Sequence, residues 1–286
     1  MKRSRILTRY GFACAYLACF AAAELAYGLL SPDAQARLIA WASTDVANLE
    51  HEPAVPLLAS ALITPGYFAA WPVLIALALF GANRALGNVR TALVCLAGHV
   101  AGTLVSEGIV AYRVDAGQLP VASMHLPDVG PSYVVVSAIV IALACGSWPA
   151  RVLAAVDLVL LVFPGDIFGG LSQLDVAAVG HLTAALTAAV ATALILSRRN
   201  RNRGRNQSQN QSQNQNSSDR GSGGYVTDAH PGDQRHVGDQ AVHGAEHGRP
   251  RPASGHIPVV VPVIVSVRVR PGWLLGSHQA CIPFPG

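Results

Sequence analysis

Six long apolar runs occupy the first two thirds of this chain. Their approximate ranges are 10–30, 62–82, 91–112, 130–147, 149–164 and 174–197. Because the hydrocarbon core of a bilayer is about 30 Å thick, a helix needs about 20 apolar residues to cross it. The fifth run is short and is interrupted at Pro164. The runs therefore predict an all-α polytopic membrane protein with six transmembrane helices.

The composition agrees with a membrane setting. The chain is 51% hydrophobic and 13% charged, and that charged fraction is about half the value usual for a soluble domain. The net charge of +4 does not indicate a nucleic-acid partner, because the basic residues lie outside the apolar runs. They are Lys2, Arg3, Arg5, Arg9, Arg84, Arg90, Arg151 and the arginines from Arg198 to Arg205.

Positive residues near the ends of transmembrane helices favour the cytoplasmic side. With six spans, the basic clusters all fall on one side of the membrane, and the loops 31–61, 113–129 and 165–173 fall on the other. We therefore expect both termini in the cytoplasm. The first outward loop, 31–61, has amphipathic stretches that predict a partly embedded segment; a simple surface connector is the alternative.

The composition changes sharply after residue 197. An Arg-rich stretch leads into a tract of Asn, Gln and Ser over residues 206–216, which cannot bury enough apolar surface to fold. The sequence thus predicts a membrane domain over 1–197 and a polar, largely disordered cytoplasmic tail over 198–286. The histidines of this tail lack ligand spacing, and the cysteines show no metal or disulfide pattern, so no metal site is predicted.

Polar residues within membrane helices are costly, and each is a candidate for function. The candidates are His99, Glu107, Ser132, Asp157 and His181. At 1.5 Å per residue, Glu107, Ser132 and His181 fall in the outer half of the membrane. His99 and Asp157 are expected deeper, toward the cytoplasmic half.

The segment 128–133, Asp-Val-Gly-Pro-Ser-Tyr, is typical of a helix start. Asp128 is expected to cap the helix, and Pro131 suits its first turn. Ser132 would then lie beside unpaired backbone N–H groups at the positive end of the helix dipole, where an oxyanion is stabilised. A serine nucleophile needs a base, and His181 on a facing helix meets that need.

Two short motifs resemble those of the rhomboid family. Gly130-Pro-Ser132 is similar to the GxSG motif that opens the fourth rhomboid helix, and Ala177-x-x-x-His181-x-x-Ala184 is similar to the AxxxHxxG pattern of the sixth. The residues Leu79-Phe80-Gly81, Leu86-Gly87 and Arg90 are similar to the rhomboid segment that joins the second and third helices. The resemblance covers about residues 10–197.

This resemblance implies a six-helix rhomboid-like bundle and an intramembrane serine protease of the bacterial plasma membrane. It implies that Ser132 is the nucleophile and His181 the general base, without a metal or organic cofactor. Gly130, Asp128 and Glu107 are the expected oxyanion or accessory residues. The expected partners are substrate proteins with a transmembrane helix and the lipid bilayer.

The chain also departs from the rhomboid pattern. Tyr133 follows the serine where the family usually has glycine, and residues 63–71 lack the His and Asn that line the family's oxyanion hole. Oxyanion donors are then expected from the helix start, from His51 or from Asn48. These departures favour the first alternative, a rhomboid-like pseudoprotease that binds membrane helices without cleaving them. A second alternative is a small transporter or channel, in which His99, Glu107 and Asp157 form a proton or ion path.

Overall fold

The computed structural model describes the backbone of residues 2–65 and 70–222 and the side chains of residues 8–65 and 70–209. Over these ranges the chain forms α-helices joined by loops and short 3-10 turns. The helices are α1 (Lys2–Gly28), α2 (Pro32–Ala42), α3 (Val46–His51), α4 (Ala54–Ala59), α5 (Trp71–Leu86), α6 (Asn88–Asp115), α7 (Ser132–Cys145), α8 (Trp148–Val162) and α9 (Val176–Ser222).

The helices α1, α5, α6, α7, α8 and α9 follow the order of the six predicted apolar runs. Within the described residues, Thr8–Gly28, Asn88–Asp115 and Val176–Gln209 are long and apolar enough to cross a membrane, while α5 and α7 are shorter apolar helices. The helix α8 has 15 residues and includes Arg151 and Asp157. The prediction of an all-α polytopic membrane protein is confirmed.

The helix α7 lies at the centre of the bundle and packs against α5, α6, α8 and α9. It is apolar around its whole circumference, which is typical of a helix buried on all sides. Its buried side chains include Val134, Val135, Val136, Ala138, Ile139, Ile141 and Ala142. A central position for α7 places its first residue, Ser132, between neighbouring helices.

Close approach of α6 to α7 and α9 depends on small residues. A Cβ atom on Gly98 would collide with the Ser137 hydroxyl and would lie 3.3 Å from the carbonyl oxygen of Ala184. Small residues at helix interfaces allow the backbones to approach and compensate for the lack of a hydrophobic driving force in lipid. This packing brings the amino-terminal ends of α7 and α9 together.

The outward loop 31–61 is folded against the bundle. It forms α2, α3 and α4, and its residues Ser43, Thr44, Asp45 and Ser60 are buried. The helices α3 and α4 contact α6. The loop is therefore an integrated part of the helical domain and not a simple surface connector; whether part of it is embedded in the membrane stays a prediction.

The helix α9 differs from the sequence interpretation, which ended the membrane domain at residue 197. It continues through the Arg-rich stretch and the Asn/Gln tract to Ser222. Extending an existing helix avoids the cost of nucleation, and Arg and Gln have favourable helix propensities. The remainder of the predicted tail, residues 223–286, lies outside the described residues, and its disorder stays a prediction.

Candidate active site at the start of helix α7

Ser132 is the first residue of α7, as the sequence predicted, and its side chain is half-buried. Pro131 occupies the N-cap position, and no side chain caps the helix. The first backbone bond of the helix runs from the Val135 N–H to the Pro131 carbonyl, at 3.0 Å. The N–H groups of residues 132–134 therefore have no acceptor within the helix, and they lie at the positive end of its dipole.

The expected capping role of Asp128 is wrong. Its carboxylate accepts hydrogen bonds from the Tyr133 hydroxyl at 3.3 Å and the Thr44 hydroxyl at 3.4 Å. Gly130 and Pro131 separate Asp128 from the helix, so Pro131 takes the cap position and the carboxylate faces the outward loop. Burial raises the pKa of Asp128; the hydrogen bonds from Tyr133 and Thr44 oppose this shift, and nearby Asp175 adds to it.

Gly130 holds the segment before the serine. Its φ of +150° is accessible mainly to glycine, and its N–H donates a hydrogen bond to the Ser60 carbonyl at 2.8 Å. The N–H of Gly130 is therefore occupied. The donors that remain for an oxyanion are those of the first turn of α7.

His181 lies near the start of α9 and is 5% exposed. Asp175 caps this helix by accepting hydrogen bonds from the N–H groups of Ala177 and Ala178, at 3.1 and 3.4 Å. The imidazole Nδ1 lies 2.8 Å from the Ile167 carbonyl oxygen. Since a carbonyl only accepts hydrogen bonds, Nδ1 carries the proton and Nε2 carries the lone pair. Nε2 is buried and has no hydrogen-bond partner among the described residues.

Tyr133 lies against His181. The two rings are edge-on, with centroids 5.0 Å apart and an interplanar angle of 77°. The ring of Phe168 approaches the same imidazole at 6.5 Å. The residue that follows Ser132 in sequence thus contacts His181 directly, so the first turn of α7 lies beside the histidine of α9.

A family model described as rhomboid-like protein matches residues 11–201. The chain belongs to the rhomboid family. Comparisons with curated proteins and with solved structures found no match. The matched range includes the start of α7 and the first turns of α9, so this integral membrane protein shares with the rhomboid family the part of the chain that carries Ser132 and His181.

In this rhomboid-like protein His99 lies near the Ser60 hydroxyl, and the geometry argues against catalysis by that pair. Its Nε2 lies 2.8 Å from the Leu57 carbonyl oxygen and 3.4 Å from the Ser60 hydroxyl. Nε2–H therefore donates to Leu57 and is no base for Ser60. The outward loop reaches His99, and its ring is 6.0 Å from that of Tyr133; its depth toward the cytoplasmic half stays a prediction.

Glu107 is 4% exposed in α6. Its electrostatic neighbours are Asp128 and Asp45, whereas the Nδ1 of His181 is hydrogen-bonded to a backbone carbonyl. The accessory role of Glu107 stays a prediction, and the contacts link the residue to the Asp128 side of the site. Within the described residues, no group of three or more metal-ligating side chains is arranged to hold a metal ion.

The remaining candidates from the sequence are Asn48, His51 and Asp157. The Asn48 amide donates to the carbonyl oxygens of Ala40 and Ser43, at 2.7 and 2.9 Å, and so stabilises the outward loop. His51 is exposed. Asp157 is buried in α8, where both carboxylate oxygens lack a partner among the described residues.

Sequence reasoning missed several residues that shape the rhomboid site. Asp175 could have been found, since an aspartate directly before an apolar run is a signal for a helix cap. Ile167 acts through its backbone carbonyl, and Thr44 through a contact across 84 positions of sequence. Neither of these contacts leaves a pattern in the local sequence.

Proposed function

We propose that this rhomboid-like protein is an intramembrane serine protease that cleaves transmembrane-helix substrates. Ser132 is the nucleophile, and His181 is the general base and then the general acid. The observation that carries the proposal is the bond between His181 Nδ1–H and the Ile167 carbonyl. It leaves Nε2 as a buried nitrogen with a free lone pair, next to the helix that begins with Ser132.

The chemistry follows from these positions. Nε2 of His181 takes the proton of Ser132 Oγ as this oxygen attacks the scissile carbonyl carbon. The resulting oxyanion is stabilised by N–H groups at the start of α7. The C–N bond then breaks, and the imidazolium donates its proton to the leaving amine. Water releases the acyl group from Ser132 by the same sequence of proton transfers.

Among the described residues no hydrogen bond joins Ser132 to His181, and catalytic hydrogen bonds often tighten only when substrate binds. The half-buried position of Ser132 leaves its hydroxyl accessible to a substrate. The basic clusters support a site that opens on the outer face, with both termini in the cytoplasm.

One observation favours a non-catalytic rhomboid-like protein that binds membrane helices. Tyr133 stands where the family usually has glycine, and its ring lies against the imidazole that would act as base. In that case the bundle would still bind a transmembrane helix but would not cleave it. The alternative predicts a well-folded protein whose Ser132 is unreactive.

Labelling of detergent-purified protein with a fluorophosphonate probe tests the proposal, because the probe reacts with an activated serine. Ser132→Ala should abolish labelling, and His181→Ala should slow it by about 100-fold or more, as general bases contribute factors of about 100 to 10,000. Cleavage of a model transmembrane helix in liposomes should fall in parallel.

Two serine variants serve as controls. Ser172→Ala alters an exposed loop serine, and Ser60→Ala removes the hydroxyl near His99; both should label like the wild type. If labelling is lost in Ser60→Ala and persists in Ser132→Ala, the site is misassigned. A folded wild type that neither labels nor cleaves would contradict the protease proposal and favour the helix-binding alternative.

A further inference from the structure

Tyr133 is buried among the helices, with 3% of its surface exposed, and it is held in place from several sides. Its hydroxyl donates a hydrogen bond to Asp128 at 3.3 Å. Its ring faces His99 at 6.0 Å and His181 at 5.0 Å. The side chain therefore connects the loop before α7 to the histidine of α9.

The neighbouring helices are shaped around this ring. A Cβ atom on Gly180 would collide with the Tyr133 hydroxyl and ring, and a Cβ on Gly102 would lie 3.2 Å from the ring. Gly180 directly precedes His181 in α9, and Gly102 lies on the facing surface of α6. The tyrosine fills the space that a side chain at Gly180 would take; at Gly102 a Cβ would meet the Gly180 carbonyl oxygen at 2.9 Å as well as the ring.

We propose that Tyr133 is a positioning residue for His181, which is seated between the Tyr133 ring and the Ile167 carbonyl. This inference rests on the proposed function, in which His181 is the base. The ring keeps the imidazole in the orientation that places Nδ1–H on Ile167, and Asp128 keeps the ring in place. The absence of a side chain at Gly180 leaves the space that the Tyr133 ring occupies.

Three substitutions at Tyr133 test separately how its aromatic ring, its hydroxyl and its volume contribute to labelling. Tyr133→Phe keeps the ring, so labelling should stay within about threefold of the wild type. Tyr133→Ala removes the ring, and labelling should slow at least about tenfold, because small misplacements of catalytic groups have effects of this size or larger. Tyr133→Leu keeps most of the volume without the aromatic edge and should resemble the alanine variant; it also serves if Tyr133→Ala does not fold.

A double-mutant cycle tests the fit between Tyr133 and Gly180. Gly180→Ala should slow labelling at least about tenfold in the wild-type background, because the added methyl displaces the ring. In the Tyr133→Ala background the same change should have no further effect, because the ring is gone. Equal effects in the two backgrounds would mean that Gly180→Ala acts independently of the tyrosine.

A spectroscopic readout separates this inference from the proposed function. In protein labelled with ¹⁵N-histidine, the signals of His181, assigned by their loss in His181→Ala, should show one protonated nitrogen and one with a lone pair. Tyr133→Ala should move the two shifts toward each other as the tautomers mix, whereas Tyr133→Phe should preserve the wild-type pattern. Tyr112, which is 69% exposed on α6, provides the matched control Tyr112→Ala, which should change neither the spectrum nor labelling.

The outcomes can be told apart. If the wild type does not label but Tyr133→Ala alters the His181 shifts, the positioning role stands and the protease proposal fails. If a folded Tyr133→Ala or Tyr133→Leu protein labels at the wild-type rate and keeps the wild-type His181 shifts, Tyr133 does not position the histidine.

Discussion

The Thr44 hydroxyl lies 3.0 Å from the carbonyl oxygen of Asp128, and the Thr44 N–H donates to the same oxygen at 3.0 Å. The Asp128 N–H in turn donates to the Ser43 hydroxyl at 2.9 Å. These bonds join the outward loop to the segment that leads into Ser132. The loop therefore supports the start of α7.

Thr44→Val should weaken this support while keeping the shape of the side chain. The variant loses the hydrogen bond from the hydroxyl, whereas the Thr44 N–H still donates to the Asp128 carbonyl oxygen, so the expected cost is that of one net hydrogen bond, about 0.5–1.5 kcal/mol. We expect a lower midpoint of thermal unfolding in detergent and slower fluorophosphonate labelling. Ser31→Ala, at the exposed cap of α2, is the comparison; it should affect stability without slowing labelling of the folded protein. Equal labelling in the two variants would argue against the support role.

Asp128→Asn should change how stability depends on pH. Because burial raises the pKa of Asp128 in the folded protein, the folded state binds this proton more tightly than the unfolded state does. The contribution of Asp128 is thus largest below its unfolded pKa of about 3.9 and is lost as pH rises through the folded value. The unfolding midpoint of the wild type relative to Asp128→Asn should rise as pH falls from neutral to about pH 5.

Asp128→Ala separates ionisation from hydrogen bonding at the same position. Asparagine retains a side-chain acceptor for Tyr133 and Thr44, whereas alanine removes it and leaves Thr44 only the backbone carbonyl of residue 128, so Asp128→Ala should be less stable than Asp128→Asn at every pH. A constant difference between the wild type and Asp128→Asn across the pH range would show that the aspartate does not titrate differently on folding.

Gly98→Ala and Gly108→Ala form a matched pair in α6. The added methyl at Gly98 collides with Ser137 and forces α6 away from α7, whereas a Cβ at Gly108 meets nothing within 4 Å. Alanine has a higher helix propensity by about 1 kcal/mol. Gly108→Ala should therefore be neutral or stabilising and Gly98→Ala destabilising, as measured by thermal unfolding in detergent. Similar midpoints for both would mean that the close contact at Gly98 relaxes freely.

Orientation in the membrane can be measured with reporter fusions. If the basic clusters set the topology, fusions after Arg90, Arg151 and Arg205 should report the cytoplasm. Fusions near Gly117 and Ser172 should report the outer side. A fusion after Arg151 that reports the outer side would contradict six spans with both termini inside.

Truncation after Asn202 tests whether the remaining chain is needed by the membrane domain. The family match ends at residue 201, and the side chains of residues 201–209 are exposed. Expression, monodispersity in detergent and labelling should therefore equal those of the full chain. Loss of folded protein would show that residues beyond 202 stabilise the bundle.

The sequence pattern accounts for the six helices that correspond to the apolar runs and for the start of α7. Apolar runs specify membrane helices because the bilayer requires their length and composition, and Pro131 with Gly130 marks the start at Ser132. The rhomboid resemblance could be recognised from the short motifs around Ser132 and His181 and from their order along the chain. These are local or compositional properties, so no knowledge of the fold was needed.

The detailed site was decided by contacts between residues far apart in sequence. Which nitrogen of His181 carries the proton depends on the backbone carbonyl of Ile167, and the Asp128 carboxylate accepts a hydrogen bond from Thr44 in another loop. In the sequence, Tyr133 is only a departure from a motif. The structure shows that its ring packs against Gly180 and Gly102. Side chains and backbone acceptors find their partners only when the chain folds. The local sequence pattern does not identify those partners, because they are distant in the sequence.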